Sequence, residues 1–428
     1  MRLVNVFLIV FGKFFIFLSK FTNLGSGSTW PGHIALKINP NFNKQLLKST
    51  NAVKIVIAGT NGKTTTGSLI NRVLISNKKT VAHNQAGANL LNGLASSLIH
   101  NSNTLGLIKK NYIIFESDEF ALPQILENIN PDYLICLNLF RDQLDRYGEL
   151  DEIAKKWKET IKKLSKNTTL ILNADDPLVS YLGDGRKNTL YFGLSEKENL
   201  KRIKHGADSL RCPKCSYMLT FNMVYFSHLE DWHCEKCGLK RPKLSISNFK
   251  YYPLPGIYNR YNILAASLLL LKERYNERQI INGLKLFTPV FGRQEKIRYK
   301  NHDIIIFLSK NPTSFNESLS TIKDLNEKNL MFVINDRIPD GLDVSWIWDI
   351  GIERIIDKSY NISVSGDRCY DMGIRLKYAE LFTHIEQDLK TAIDKMISGL
   401  EKDEKLYILP NYSAMLDIRK ILLGRKLL

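Results

Sequence analysis

The chain has 428 residues, enough for two or three domains. With 44% hydrophobic and 24% charged residues it has an ordinary globular composition and ample material for a core. The formal net charge of +17 favours anionic partners, namely nucleic acid, phosphorylated substrates or an anionic membrane surface. Charge alone does not choose among them, and a merely lysine-rich coding sequence is an equally good explanation.

The N-terminal run MRLVNVFLIVFGKFFIFLSKF is apolar for about twenty residues but is interrupted by Lys13. No small-residue cleavage site follows it, which argues against a secretory signal. A membrane anchor remains an alternative. The favoured interpretation is an amphipathic helix that packs on the first domain and can touch a membrane surface.

Alternation of apolar strands and helical patterns begins after a Gly/Ser turn at 25–28. Strands are predicted at 53–58, 112–117, 132–139 and 169–174, and helices at 63–76, 150–164 and 261–275. This order predicts an α/β fold, a mostly parallel, doubly wound sheet.

A second, smaller α/β domain is predicted beyond about residue 290, with strand-like runs DIIIFLS, NLMFVIND, IERIID and KLYILPN. We therefore expect an N-terminal helix and linker (1–48), a nucleotide-binding domain (49–292) and a Rossmann-like C-terminal domain (293–428). A cysteine-rich insertion (205–242) interrupts the nucleotide-binding domain.

The stretch IAGTNGKTTTGSLI (57–70) is typical of a phosphate-binding loop between a strand and a helix. Backbone N–H groups of such a turn cradle phosphate oxygens, and the helix dipole assists. Gly59, Gly62, Lys63 and Thr64 fit the glycine, lysine and hydroxyl roles, with the hydroxyl available to Mg²⁺. The usual loop has glycine where this chain has Ile57, so the loop is a variant, and a chance GKT is the alternative.

A magnesium–nucleotide site also needs a carboxylate at the end of a neighbouring strand. YIIFESDEF places Glu116 at such an end, followed by Asp118 and Glu119. Glu116 is the predicted magnesium ligand together with Thr64; a solvated strand end is the alternative.

Four of the six cysteines form the pairs CPKC (212–215) and CEKC (234–237), separated by eighteen residues. Both thiolates of a Cys-x-x-Cys pair can reach one ion, and four thiolates close a tetrahedral zinc site. Cys212, Cys215, Cys234 and Cys237 are thus predicted to bind a structural zinc ion. His205, His228 and His233 are nearby but not needed, and Cys136 and Cys369 are expected to be buried apolar residues. The cysteine pattern argues for a reducing, cytoplasmic location.

GTNGKTTT resembles the ATP-binding signature of the Mur ligase family. NADDP (173–177), PGIYNRYNILAA (255–266) and FGRQE (291–295) resemble further motifs of that family in the same order. The resemblance implies ATP and Mg²⁺, with Thr60, Asn61 and Thr65 completing the loop. It also implies that Asn259 and Asn262 meet the adenine and that Arg293 approaches the phosphates; helix capping is the alternative for the asparagines.

The finer resemblance is to the MurT branch of the family, the synthetase subunits of lipid II isoglutaminyl synthase. It is carried by PGHIALKI (31–38), HNQAGANLLNG (83–93), NLFRDQLDRYGELDEI (138–153), the four-cysteine insertion, LSKNPTSFNE (308–317) and DGLDVSWIWD (340–349). It implies amidation of the D-glutamate α-carboxyl of the lipid II stem peptide through an acyl phosphate. It also implies a GatD-type glutamine amidotransferase as partner in a heterodimer. We expect a cytoplasmic protein, for which contact with the inner face of the cell membrane is an open alternative.

Two departures from the amino-acid-adding ligases are visible. Their Asp-x-x-His-Asn-Pro type segment reads LSKNP here, with Lys310 before Asn311, and no position can be assigned to the lysine that they carbamylate. These departures argue against an amino-acid pocket, which suits ammonia as the nucleophile.

The segment DGLDVSWIWD carries Asp340, Asp343 and Asp349. The resemblance implies that one of them is lent to the Cys–His pair of the amidotransferase, where a carboxylate would orient the histidine. Asp343 ranks first, Asp349 second and Asp340 third; a polar loop closing a strand is the alternative.

Two other functions stay open from the sequence. One is an amino-acid ligase resembling folylpolyglutamate or muropeptide synthetases. The other is a basic, ATP-dependent nucleic-acid binder, because zinc ribbons often bind nucleic acid. We expect no nucleic-acid partner, since that function leaves the Mur-type segments unexplained.

Overall fold

The computed structural model describes residues 3–21, 29–84, 88–140, 150–195, 209–226, 229–289 and 291–424. The first part of the chain contains α1 (Leu3–Phe21), α2 (Trp30–Ile38), α3 (Phe42–Leu47), β1 (Val53–Ala58), α4 (Lys63–Ser76), β2 (Val81–His83), α5 (Leu91–Asn101), β3 (Tyr112–Ser117), α6 (Leu122–Asn128), β4 (Tyr133–Cys136), α7 (Leu150–Lys162), β5 (Thr169–Asn173), α8 (Pro177–Tyr181), β6 (Thr189–Phe192), β7 (Thr220–Phe226), β8 (Leu229–His233), α9 (Ile257–Lys272) and α10 (Glu277–Lys285).

The remainder contains β9 (Arg293–Tyr299), β10 (His302–Phe307), α11 (Pro312–Asp324), β11 (Asn329–Val333), a 3-10 turn (Ser345–Asp349), α12 (Ile352–Ile355), β12 (Asn361–Ser365), α13 (Cys369–Tyr378), β13 (His384–Ile385), α14 (Leu389–Ser398), β14 (Lys405–Pro410) and α15 (Tyr412–Leu423).

The first sheet has the strand order β2-β3-β1-β4-β5-β6, and all its pairs are parallel. Along β1 the side chains alternate between two cores. Val56 and Ala58 face the core beneath α1, α5 and α7, whereas Ile55 and Ile57 face the core beneath α4 and α9. Helices therefore cover both faces, which explains why its strands are uniformly apolar.

The second sheet has the order β13-β12-β11-β14-β10-β9, with β9 antiparallel to β10 at one edge. The chain passes from the first sheet to the second between α10 and β9. Because β9 is an edge strand with charged residues such as Lys296 and Arg298 on its outer side, its sequence gave no strand signal.

One predicted strand is wrong. IERIID does not form a strand: Ile352–Ile355 is a helical turn whose two isoleucines are buried. A short apolar run has no periodicity that distinguishes a strand from one turn of helix. The strand at this point of the sheet is β12, which begins nine residues after Ile352. The helix predicted at 261–275 begins earlier, at Ile257, directly after Gly256 in a left-handed conformation (φ 93°).

The N-terminal helix α1 lies against α2 and α5 through Leu8, Ile9 and Gly12, on the core shared with the first sheet. No helix within the described ranges has both the length and the apolar content needed to cross a membrane.

Candidate active site

The carboxyl edges of both sheets face one cleft of about 470 Å³. The phosphate loop follows β1, and Glu116 lies at the end of β3. From the second sheet come Lys310, which follows β10, and Tyr412, which follows β14. Ligands of open parallel sheets bind outside these carboxyl edges, so this cleft is the candidate active site.

The phosphate loop is held in a conformation that only glycine allows at one position. Gly62 has φ 88°, and a Cβ at this residue would lie 2.1 Å from Oδ1 of Asn262. The helix α4 starts at the next residue, Lys63, so its first N–H groups point into the cleft. Gly59, with φ 140°, packs against Asn138 at the other end of the loop.

Asn138 and Thr60 fix the loop to the end of β4. The Asn61 N–H donates to Oδ1 of Asn138 at 2.9 Å, and Nδ2 of Asn138 donates to the Asn61 carbonyl at 3.1 Å. The Thr60 hydroxyl accepts the Phe140 N–H at 3.0 Å. The hydroxyl of Thr60 is thus engaged within the protein, although the residue lines the cleft together with Asn61, Gly62, Lys63, Thr64 and Thr65.

Glu116 is the centre of a compact polar cluster. Its Oε2 accepts a hydrogen bond from the Thr64 hydroxyl at 2.5 Å, and its Oε1 lies 2.9 Å from Nε2 of His83. Burial alone would raise the pKa of Glu116, but His83, the Thr64 hydroxyl and the Arg293 charge together hold this pKa below its usual value. The carboxylate is therefore kept ionised in a site only 5% exposed.

The amide of Asn84 locks the backbone at Glu116. Oδ1 of Asn84 accepts the Glu116 N–H at 2.7 Å, and its Nδ2 donates to the Glu116 carbonyl at 3.0 Å. His83 is the last residue of β2, which pairs with β3 in the sheet, and Asn84 follows it directly. In the sequence, the one sign that His83 and Asn84 belong to the site is that two polar residues stand together at the end of a strand.

Lys63 lies among oxygen atoms of its own loop and one acid. Its Nζ donates to the carbonyls of Gly59 and Thr60 and is 3.5 Å from Oε2 of Glu119. Burial raises the pKa of Glu119, but the charges of Lys63 and Lys310 outweigh it and lower that pKa. Glu119 therefore balances part of the positive charge of the cleft.

The two predicted adenine contacts, Asn259 and Asn262, are buried on the first turns of α9 and line the cleft. Nδ2 of Asn262 donates to Oδ1 of Asn259 at 3.2 Å, and the Thr66 hydroxyl lies 3.4 Å from Oδ1 of Asn262. These contacts join α9 to α4. Asn259 also donates to the Pro255 carbonyl at 2.7 Å, which ties the asparagine pair to the turn before α9.

Arg293 reaches the same cleft from the start of β9, where it interacts electrostatically with Glu116. Gln294 next to it donates to the Tyr258 hydroxyl at 2.6 Å. On the opposite wall, Nδ2 of Asn311 lies 3.5 Å from Oδ1 of Asn61, so the segment LSKNP touches the phosphate loop directly.

The four cysteines of the insertion lie close together. Sγ of Cys212 is 3.6 Å from Sγ of Cys237, Sγ of Cys215 is 3.5 Å from Sγ of Cys234, and all four sulfurs lie within 4.8 Å of one another. Sulfurs around a tetrahedral zinc ion with bonds of about 2.3 Å are separated by about 3.8 Å. The donor set and its spacing therefore fit zinc.

Both cysteine pairs form the same tight turn. The Ser216 N–H donates to the Cys212 carbonyl at 2.8 Å, and the Gly238 N–H donates to the Cys234 carbonyl at 3.0 Å. The residue after each pair is left-handed, with φ 58° at Ser216 and 71° at Gly238. This conformation aims both sulfurs of a pair at one point. His233 is described and is not within this sulfur group; His205 and His228 lie outside the described residues.

The insertion is attached firmly to the first sheet. Nε1 of Trp232 donates to the Ala174 carbonyl at 3.0 Å, and Arg241 forms an ion pair with buried Asp175 at 2.5 Å. Leu229, at the start of β8, lines the cleft. The cysteine-rich unit thus supports one wall of the candidate site without offering a chemical group to it.

We expect about one zinc ion per chain, and Cys212→Ser to lower both the zinc content and the melting temperature, because three thiolates hold the ion less well than four. Lys214→Ser, an exposed change in the same turn, should alter neither. Elemental analysis and thermal unfolding measure the two effects. Protein purified without chelators and free of zinc would contradict the assignment.

The three aspartates of DGLDVSWIWD have different surroundings. The Asp340 carboxylate is buried and accepts the Ser413 N–H at 3.0 Å, near the start of α15. The exposed Asp343 accepts the Ser345 N–H at 2.7 Å and so begins the 3-10 turn. Asp349, at the end of that turn, is exposed, and its carboxylate makes no hydrogen bond or ion pair with any residue that the structure describes.

Of the predicted nucleotide and magnesium residues, Gly59 is not among those that line the cleft. The others line it together: Thr60, Asn61, Gly62, Lys63, Thr64, Thr65, Glu116, Asn259, Asn262 and Arg293. The four cysteines and Asp343 lie outside it. Sequence reasoning missed His83, Asn84 and Asn138, which hold the site in place. It also missed Glu317 on α11, which lines the cleft.

Family models match most of the chain: "Mur ligase middle domain" over residues 57–270 and "MurT ligase C-terminal" over residues 308–415. A relative from Staphylococcus aureus (strain COL), named lipid II isoglutaminyl synthase (glutamine-hydrolyzing) subunit MurT, is 33% identical over 91% of this chain and 91% of its own length. The subunit of the same name from Streptococcus pneumoniae (strain ATCC BAA-255 / R6) is 32% identical, covering 95% and 94%.

Solved structures share the fold at lower identity. A pseudomurein peptide ligase type C from Methanothermus fervidus has a TM-score of 0.66 at 24% identity, covering 89% of this chain and 80% of its own. The MurF ligase from Thermotoga maritima in complex with ADP has a TM-score of 0.61 at 15% identity, covering 91% and 83%.

The fold and the phosphate-loop cleft together define the class, an ATP-dependent ligase of the Mur type. Within that class, the chain belongs to the MurT ligase family.

Proposed function

We propose that the protein amidates the α-carboxyl of D-glutamate in the lipid II stem peptide, with ATP as the energy source and ammonia as the nucleophile. The observation that carries the proposal is the single cleft in which the phosphate loop and Glu116 face the segment around Lys310. The names of the two MurT relatives supply the substrate.

The proposed reaction has two steps. A substrate carboxylate oxygen attacks the γ-phosphorus of ATP, ADP leaves, and an acyl phosphate forms. Ammonia then attacks the acyl carbon, phosphate leaves and the nitrogen loses a proton, which gives D-isoglutamine. The first step brings two anions together, and the second expels an anionic phosphate, so positioning and positive charge supply most of the rate enhancement.

Magnesium fits the pair formed by Thr64 and Glu116. A hydroxyl and an ionised carboxylate oxygen converge there, and Mg²⁺ prefers oxygen ligands. His83 holds the second carboxylate oxygen, which fixes the orientation of the ligand. When bound, Mg²⁺ would neutralise phosphate charge, while Lys63 and Arg293 would meet the remaining phosphate oxygens.

Ammonia as the nucleophile is supported by the wall opposite the phosphate loop. Lys310 and the capping residue Asn311 occupy the positions where amino-acid-adding ligases have a different segment. The charge of Lys310 reaches Asp118 and Glu119 beside the loop. A cation at this place suits an anionic acyl phosphate.

Glu317 is proposed as the proton acceptor for the attacking nitrogen. It lines the cleft, and burial, with a contribution from the charge of Asp324, raises its pKa to about 8. A carboxyl group whose pKa lies near the working pH is well matched to take up a proton.

Glu317→Gln should lower the amidation rate by about a hundredfold with nucleotide affinity retained. It should also change the pH dependence of stability. Because the pKa of Glu317 rises from about 4.5 to about 8 on folding, wild-type stability falls over that pH range while the variant escapes the loss. The gap between the melting temperatures should grow from pH 4.5 to 8; a constant gap would contradict the raised pKa.

A surface on the C-terminal part of the chain suits a GatD-type amidotransferase partner. Tyr370, Ile374 and Tyr378, spaced four apart on α13, are 59%, 51% and 74% exposed. Trp348 packs edge-on against Tyr378 with ring centroids 5.4 Å apart. An exposed stripe of aromatic and aliphatic groups of this kind favours a protein interface.

Asp349 lies in a backbone segment that Arg375 holds against this surface. Arg375 donates to the Ile350 carbonyl at 2.5 Å and to the Ile347 carbonyl at 3.3 Å, and it pairs with Glu353 at 2.6 Å. We therefore rank Asp349 ahead of Asp343 as the carboxylate lent to the partner. Asp343 already serves its own turn, whereas Asp349 has an unengaged carboxylate on a fixed backbone.

The proposal is tested by incubating the purified chain with ATP, Mg²⁺ and lipid II, with ammonium salts or with amino acids. Mass spectrometry of the stem peptide and ADP release are the measurements. We expect an amide product with ammonium alone, and with glutamine only when the amidotransferase subunit is added. Amino-acid-dependent product without an amide would instead identify an amino-acid ligase.

A further inference from the structure

The outer face of α1 is apolar although the helix is firmly packed. Its outward residues Leu3, Phe7, Val10, Phe14 and Phe17 repeat every three or four positions and are 88%, 64%, 48%, 58% and 68% exposed. Soluble proteins rarely expose a contiguous apolar stripe of this size, and such stripes commonly mark a binding site for a protein or a membrane. The opposite face is in the core, so α1 is apolar on both sides.

Specific contacts fix which face points outward. Asn5 is fully buried; its Nδ2 donates to Oε1 of Gln45 at 2.7 Å, and its Oδ1 accepts from Nδ2 of Asn39 at 2.7 Å. Gly12 lets α1 approach closely, because a Cβ there would lie 3.0 Å from Ile99. The helix therefore cannot rotate to hide the phenylalanines.

The positive charge of the first part of the chain indicates which kind of surface binds the exposed face of α1. No acidic residue precedes Glu116, whereas thirteen lysines and arginines do. Lys37 on α2, with Lys44 and Lys48 on and after α3, is exposed. Trp30, the first residue of α2, is 70% exposed, and tryptophan is enriched where membranes meet water. An apolar ridge in an acid-free, basic part of the chain complements an anionic lipid surface.

We propose that α1 docks the protein on an anionic bilayer, with the helix in the plane of the membrane and its phenylalanines among the acyl chains. At 1.5 Å per residue its nineteen residues extend roughly 28 Å along the surface. α5, which packs against α1, begins one residue after Leu90, and Leu90 lines the cleft. Docking thus keeps one wall of the cleft near the membrane. The inference stands on α1 itself and does not require the proposed reaction.

The test is flotation of the full chain with vesicles, without ATP or substrate. Vesicles of phosphatidylcholine with phosphatidylglycerol should bind the protein, and phosphatidylcholine alone should bind it much less. Phe7→Ser/Phe14→Ser/Phe17→Ser should weaken binding by roughly a hundredfold. The melting temperature should stay unchanged, because these side chains lie outside the core. The single change Phe17→Ser should give an intermediate loss.

The matched control is Tyr370→Ser/Ile374→Ser/Tyr378→Ser, which removes three exposed apolar side chains from another helix. It should bind vesicles as the wild type does. Equal vesicle binding by the α1 variant and the wild type would overturn the proposal. So would loss of amidotransferase binding by the α1 variant with no vesicle binding by the wild type, which would make α1 a protein interface.

Discussion

Lys63→Ala is expected to lower ATP turnover by about a thousandfold or more while leaving the melting temperature almost unchanged. Among the residues that the structure describes, the hydrogen bonds and ion pair of the Lys63 side chain are with the carbonyls of Gly59 and Thr60 and with Glu119, and Lys63 belongs to neither core of the first sheet. Its charge is instead available to the outer phosphates of a bound nucleotide. Glu116→Gln should have a comparable effect, because it removes the charge of the magnesium ligand but keeps its shape.

Lys79→Ala is the matched control, since Lys79 is exposed shortly after the end of the same helix. It makes the same change of charge away from the cleft and should leave turnover intact. ADP release at saturating ATP, and nucleotide binding by calorimetry, separate a loss of chemistry from a loss of affinity. Wild-type turnover in either cleft variant would mean that the nucleotide binds elsewhere.

The second large effect concerns the aspartates beside α13. Asp349→Asn should reduce glutamine-dependent amidation by about ten-thousandfold, while amidation driven by free ammonia continues. A carboxylate lent to the amidotransferase histidine affects only the hydrolysis of glutamine. Complex formation should remain, because the change removes one charge and no volume from the surface.

Asp343→Asn, the first choice from the sequence, is run beside it. Whichever variant loses only the glutamine-dependent reaction contains the lent carboxylate. Asp403→Asn, in the exposed loop that precedes β14, is the control. Equal loss with both nitrogen sources would show that the residue serves the synthetase cleft or the fold, and two unaffected variants would exclude a borrowed carboxylate from this segment.

Arg375 explains why the sequence ranked these aspartates differently from the structure. Asp343 ranked first from the sequence as the carboxylate lent to the partner, because it lies in the middle of the loop before the apolar SWIW run. Only the folded chain shows that the Asp343 carboxylate accepts the Ser345 N–H at the start of its own turn. It also shows that Arg375 on α13, twenty-six residues after Asp349, fixes the backbone around Asp349. A side chain that acts on a distant carbonyl leaves no local pattern in the sequence.

The sequence predicted the local strand and helix structure correctly where one short segment carries the whole signal. The phosphate loop needs glycines, a lysine and hydroxyls in consecutive positions, because backbone geometry and the helix start are set locally. Buried parallel strands such as β1 and β3 are apolar on both faces, so their runs stood out. The charged edge strand β9 and the helical turn at Ile352–Ile355 did not, because edge position and a single turn leave ambiguous patterns.

The sequence by itself determined the phosphate loop, the four-cysteine group, the parallel α/β class and the resemblance to Mur ligases, since each depends on residue type and spacing along the chain. Only the tertiary structure decided that His83 and Asn84 serve Glu116, that Glu317 joins the same cleft, and which face of α1 remains exposed. These depend on which strand ends and helices become neighbours. Which strand ends and helices become neighbours is determined by packing between segments that are far apart in the chain, so no single segment contains this information.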